Sequence, residues 1–155
     1  MNSFDTFNVN TSFGLLLGRS SKLMAERLQE RFDKANLGIT LAHWVILAQL
    51  WNEDGLAQQE ISKRSGVAKP NVTTMIDMLE KESFIVRVPD QIDRRINRIF
   101  LTTKAKELRC KAIAEVFTLY DSAMSGLTED EKTLFLKSLT TIAHNLGSSS
   151  SCGYG

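Results

Sequence analysis

Apolar positions recur at helical spacing toward both ends of the chain, and the pattern breaks into shorter units in the middle. Phe13, Leu16, Leu17, Met24, Leu28 and Phe32 predict one amphipathic helix, and residues 41–51 predict a second, nearly all apolar and opened by Thr40. Further on, Thr102 can cap a long helix carrying Leu108, Ala112, Ile113, Val116, Phe117, Tyr120 and Met124. Thr128 with Glu131 makes a capping box ahead of Leu134, Phe135, Leu139, Ile142 and Leu146.

Between these ends lies a polar stretch, Gln58–Ser65, which reads as a helix of about two turns closed by Gly66. A helix over Lys69–Lys81 follows. On a helical wheel Val72, Met75, Ile76 and Leu79 share one side, opposite Pro70, Thr73, Thr74, Asp77 and Lys81, with Asn71 and Met78 on one flank and Lys69 and Glu80 on the other. Residues 84–88 and 96–102 are β-rich arms around a turn-forming tip, 89–95, that holds Asp93, Arg94 and Arg95. Helix, glycine turn, longer helix and basic hairpin are the order of a winged helix-turn-helix, so the fold class expected is mainly α with a small β-hairpin wing.

The outward face of the second of these helices carries short side chains near its start, which a major groove admits: Asn can pair with adenine and Thr can meet a thymine methyl. Pro70 fits a first turn, where its missing N–H costs nothing. Asp93 stands two residues before Arg95, a spacing that lets its carboxylate bridge the guanidinium and leaves Arg94 pointing outward. A guanidinium so held suits an electronegative minor groove. The residues expected at DNA are thus Lys69, Pro70, Asn71, Thr73, Thr74, Asp77, Lys81, Asp93, Arg94 and Arg95. Ala57 and Ala68 occupy the N-cap positions of the two helices and offer no side-chain acceptor there. Taken singly, the tip reads more readily as a solvated turn, and the helix pair equally as a generic hairpin; together they point to duplex DNA.

Charge sharpens this. The formal net charge of +1 hides a basic middle, since residues 58–111 hold 12 Lys and Arg against 7 Asp and Glu, and the rest of the chain holds 7 against 11. At 155 residues and 43% hydrophobic content the chain suits one domain. It has no apolar run of membrane-spanning length and no signal-peptide pattern at its start, which predicts a cytoplasmic protein without a membrane partner. The Ser- and Gly-rich tail at 147–155 is expected to be disordered.

With these residues in view, the chain resembles the MarR (multiple antibiotic resistance regulator) family of bacterial transcription factors over about residues 13–146. The likeness rests on Leu56-Ala57-Gln58-Gln59-Glu60-Ile61, on Val72-Thr73-Thr74-Met75-Ile76-Asp77-Met78-Leu79-Glu80, and on Asp93-Arg94-Arg95 through Leu101-Thr102. It departs where the family usually shows Thr or Ser followed by Arg, here Thr73-Thr74, and where another Arg is common, here Met78; the recognition helix should be less cationic. The resemblance implies one domain over 1–146, with a winged helix at about 40–101 and dimerisation helices at about 10–36 and 102–146. It implies a homodimer, a repressor of pseudo-palindromic operators, and release by a small lipophilic or aromatic effector held near Phe13, Leu17, Ser20, His43, Trp44 and Ile113. Plain core packing explains the same six residues.

Other function classes find less support. There is no Gly-rich phosphate loop or nucleophile elbow, and His43 and His144 lie in separate helices, so neither an enzyme nor a metal or cofactor site is expected. His43 beside Trp44 reads as a hydrogen-bonded core histidine. A winged helix that docks protein instead of DNA is the alternative, and the basic wing argues against it. Relatives that sense organic peroxides carry a thiol in the N-terminal helical region. Residues 1–40 have none, and Cys110 and Cys152 are expected to stay reduced.

Overall fold

A computed structural model describes residues 8–147. A 3-10 turn at Val9–Thr11 leads into α1 (Phe13–Lys34), followed by α2 (Leu41–Asn52), β1 (Leu56–Ala57), α3 (Gln58–Ser65), α4 (Lys69–Lys81), β2 (Ile85–Pro89), β3 (Asn97–Leu101), α5 (Thr103–Ala123) and α6 (Glu129–Asn145). The tail beyond Gly147, with Cys152, lies outside the described residues.

The caps read from the sequence form. Thr40 Oγ1 accepts the His43 N–H, Thr102 Oγ1 accepts that of Ala105, and Thr128 and Glu131 exchange both bonds of a capping box. Ala57 and Ala68 open α3 and α4 with no side-chain cap. Gly66 ends α3 at φ 68°, in the left-handed region that costs glycine nothing, and Ser62 Oγ donates to Val67 O at 2.7 Å across the turn.

The sheet runs β1-β3-β2, all antiparallel, with Ile85 opposite Leu101 and Pro89 opposite Asn97. The sequence reading missed β1, because two residues carry no alternation. It is paired through Leu56 with Ile99 and Ala57 with Arg98. Gly55 precedes it at φ 78°, and a Cβ there would sit 2.6 Å from the Phe100 ring. Asp54 fastens this corner by accepting the Leu101 N–H at 2.8 Å.

The core centres on α2. Ile46, Leu47 and Leu50 are buried against Ile61, Val72, Ile76 and Leu79 from the helix-turn-helix and against Phe84, Ile85 and Ile99 from the wing. Trp51 Nε1 donates to Ala105 O at 3.0 Å and ties α2 to α5. Arg31 of α1 reaches Glu115 of α5 with a 2.7 Å ion pair. Burial along α1 is one-sided in sequence: Leu28 and Phe32 are buried, while Phe13, Leu15, Leu16 and Leu17 are exposed. Helix α6 buries no residue at all. No helix among the described residues is long and apolar enough to cross a membrane.

Candidate nucleic-acid interface

The face of α4 expected to point outward does so. Asn71, Thr73, Thr74, Asp77 and Lys81 are exposed, and Val72, Ile76 and Leu79 are buried with Met75 partly so. Lys69 and Pro70 are exposed in the first turn. Both threonine hydroxyls donate back into the helix, Thr73 to Lys69 O at 3.1 Å and Thr74 to Pro70 O at 3.2 Å. Met78, where the family often has Arg, is 46% exposed and lends the face an apolar spot.

The wing tip is built by carboxylates that grip backbone. Asp90 Oδ1 accepts the N–H groups of Ile92 and Asp93 at 2.8 and 3.0 Å, and its Oδ2 takes Arg98 Nε. These bonds, led by the Asp93 N–H, hold the Asp90 carboxyl down at about 2, well below the usual 3.8. Arg98 also donates to Gly55 O at 3.0 Å, so the tip is braced against the entry to β1.

Here the expected Asp93–Arg95 bridge needs correction. Asp93 Oδ1 accepts the backbone N–H of Arg95 at 3.0 Å, and the Arg95 guanidinium pairs with no carboxylate among the described residues. The turn needs the carboxylate to satisfy its own backbone, which leaves both the Arg94 and Arg95 heads on the exposed tip. What orients the wing is a contact the sequence reading overlooked. Arg87 of β2 pairs with both Asp77 and Glu80 of α4, holding wing and recognition helix together. Asp77 is therefore committed to this clamp, although it lies on the outward face.

Between α3, the start of α4 and the wing runs a cleft of about 270 Å³ lined by Gln58, Lys69, Thr73, Arg95, Ile96 and Asn97. Gln58 Nε2 donates to Thr73 Oγ1 at 2.5 Å across it. The sequence reading had left out Gln58, Arg87, Asp90 and Arg98. Their only signal is polarity, which surface residues share.

The six residues implied as an effector site do not converge. His43 is buried in the winged helix, its Nδ1 accepting the Thr40 N–H at 3.4 Å beside the Phe84 ring. Trp44 packs between Phe32 and Trp51 in the core. Phe13 and Leu17 lie on the exposed start of α1, and Ile113 is half-buried on α5. Ser20 lines a groove of about 530 Å³ between α1 and α5, with Leu23, Met24, Arg31, Lys34 and Leu119 among the other walls. Phe13, Leu17 and Ser20 share one face of α1 by their spacing, whereas His43 and Trp44 are taken into the core packing of the winged helix.

Burial holds His43 below its ordinary pKa of 6.5 more strongly than the nearby Glu82 carboxylate raises it. With Nδ1 accepting from Thr40, the 3.6 Å approach of Glu82 is not an ion pair of the neutral ring. Nε2 carries the proton and has no hydrogen-bond partner among the described residues.

A glycine-turned helix pair, an exposed second helix and a braced cationic hairpin define a winged helix-turn-helix protein. Residues 39–96 of the chain match the model of the MarR family. The HTH-type transcriptional regulator TtmR of Methylorubrum extorquens (strain PA1) is 31% identical over 108 residues, covering 70% of this chain. The match covers 54% of TtmR, so the chain spans about half the length of that relative. The transcriptional repressor CouR, bound to a 23-mer DNA duplex, superposes with a TM-score of 0.79 at 29% identity, over 87% of this chain and 94% of CouR. BpsR of Bordetella bronchiseptica, whose DNA binding is regulated by 6-hydroxynicotinic acid, gives 0.81 at 19% identity, over 88% and 96% of the two chains. That last likeness speaks for the fold alone.

Proposed function

We propose that the chain is a cytoplasmic DNA-binding repressor that grips a pseudo-palindromic operator as a homodimer and releases it when a small lipophilic or aromatic effector binds. The observation that carries this reading is the cleft in which Lys69 and Thr73 of α4 stand opposite Arg95 and Asn97 of the wing. Cationic and neutral donors there flank a helix face of short side chains, which suits phosphates on the rim and base edges at the centre. Lys69, Lys81, Arg94 and Arg95 hold the phosphates in this reading, and Asn71, Thr73 and Thr74 meet the bases. CouR, a repressor in complex with duplex DNA, supports it as a relative of similar shape.

The homodimer is supported by the apolar surface at the two ends of the chain. Phe13, Phe117 and Leu134 are each more than 60% exposed, and α6 buries none of its residues within the chain. Pairing α1, α5 and α6 with those of a second copy, around winged helices at about 40–101, removes this surface from water. The groove between α1 and α5 is the place for an effector.

Selection of bound fragments from a random duplex pool, followed by titration at rising salt, tests the reading. We expect half-sites about 10 base pairs apart and a steep loss of affinity with salt as phosphate counterions return. Equal affinity for random and selected duplexes at ~150 mM salt, near physiological ionic strength, would overturn it. An affinity indifferent to salt would favour a protein-docking winged helix.

A further inference from the structure

The hydroxyl of Thr73 has committed its proton and one of its two lone pairs before any ligand arrives. Its proton goes to Lys69 O, and one lone pair takes the amide Nε2 of Gln58. The first bond makes Oγ1 an acceptor toward solvent, so the Gln58 amide must present nitrogen to it and turn Oε1 away. No group among the described residues donates to that Oε1. With its oxygen held between α4 and α3, exposed Thr73 has its methyl left to present. Gln58 is the first residue of α3, behind an uncapped alanine, and its side chain lies in the cleft with Lys69 and Arg95.

We infer that Gln58 and Thr73 form a single base-reading unit for a T·A pair, the Thr73 methyl packing on the thymine methyl and Gln58 Oε1 accepting from the adenine amino group. The inference rests on the DNA-binding reading and deepens it. In the major groove only a pair of thymine with adenine offers both a methyl and an amino donor; a cytosine–guanine pair offers the amino group without the methyl. A recognition helix that lacks the family's arginine thus reads by shape and by an acceptor, with a residue of the preceding helix supplying the polar half. Gln58 also positions Thr73, because its amide fixes the hydroxyl between α3 and α4 and so sets the direction of the methyl.

The test uses the full-length chain and an operator selected from a random pool. Each thymine of a half-site is replaced in turn by deoxyuridine, and each paired adenine by purine, which lacks the amino group. We expect one thymine whose methyl is worth about fourfold in affinity, the value of one methyl withdrawn from water. Thr73→Ser should bind the thymine and deoxyuridine operators alike, while Thr73→Val should keep the difference. Gln58→Ala should lose discrimination between adenine and purine at the same pair. Uniform tolerance of deoxyuridine by an otherwise sequence-specific protein, or a methyl preference that survives in Thr73→Ser, would overturn the unit alone. Failure of the pool to enrich any sequence would overturn the regulator reading and this inference with it.

Discussion

Buried His43 shows how a single side chain can tie stability to pH. Its ring is neutral in the fold because burial disfavours the cation, and its Nδ1 completes the cap of α2. A histidine with a lowered folded pKa favours the native state fully above its unfolded value of about 6.5, and that advantage fades as pH falls through the lower folded value. We expect Tm to drop between neutral pH and about pH 5, within the range where histidine titrates, and His43→Gln to flatten that part of the profile. A Tm that stays level through this range in the parent protein would contradict the assignment. At the DNA face the division of labour is similarly residue-specific. Arg95→Ala should weaken all duplexes alike and reduce the salt slope by about one, since its guanidinium is not tied to Asp93. Asn71→Ala should relax preference at one base pair, by about 1–3 kcal/mol if its contact is bidentate. Affinities measured on matched and mismatched duplexes separate the two effects.

At the scale of the element, the wing is a hairpin whose rigidity comes from carboxylates placed at its two ends. Asp90 closes the tip by accepting two N–H groups and Arg98, and Arg87 fastens the base to Asp77 and Glu80 of α4. Asp90 has a folded pKa depressed to about 2, so its contribution is present above the ordinary 3.8 and is lost as pH falls through the lower value. The wing should therefore keep its order in mild acid, and a carboxyl resonance assigned to Asp90 should titrate near 2. Asp90→Asn keeps one acceptor oxygen but gives up the charge that holds Arg98. We expect faster amide exchange at Ile92 and Asp93 and weaker binding to every duplex, with base preference unchanged because α4 is untouched. Unaltered exchange in the variant would show that the backbone turn alone shapes the tip.

For the whole molecule the open question is how the apolar ends are covered. Leu134 and Phe135 sit on α6, and Phe117 and Tyr120 on α5, all exposed within one chain. Phe135→Glu places a charge in the surface proposed to pair, so sedimentation should shift from dimer to monomer, and operator affinity should fall steeply because two half-sites are no longer linked. A monomeric parent protein at micromolar concentration would remove the homodimer from the proposal. Cys110 lies exposed on α5 within this same region of the chain. The absence of any cysteine from residues 1–40 leads us to expect operator release by ligand or by dilution, and not by peroxide. Operator binding lost on mild peroxide treatment, restored by a dithiol and preserved in Cys110→Ser, would reverse that expectation.

The sequence alone determined the features that rest on local chemistry. Helix periodicity, the Thr40, Thr102 and Thr128 caps, the Gly66 turn and the two faces of α4 each depend on residues within about one or two turns of one another, so the chain displays them directly. The tertiary structure decided whatever depends on partners distant in sequence. The strand at Leu56–Ala57 exists because Ile99 and Arg98 lie beside it. The Arg87 clamp spans ten residues to Asp77, and Gln58 meets Thr73 across fifteen. Asp93 could be assigned to the Arg95 guanidinium from spacing, but the hairpin's need to satisfy the N–H groups of its turn gave its oxygen to the backbone instead. Likewise Phe13, Ser20, His43 and Trp44 share an apolar or helical context in sequence, yet helix packing turns them toward different neighbours. Local periodicity specifies which side of an element is apolar; only the packed chain specifies what each side meets.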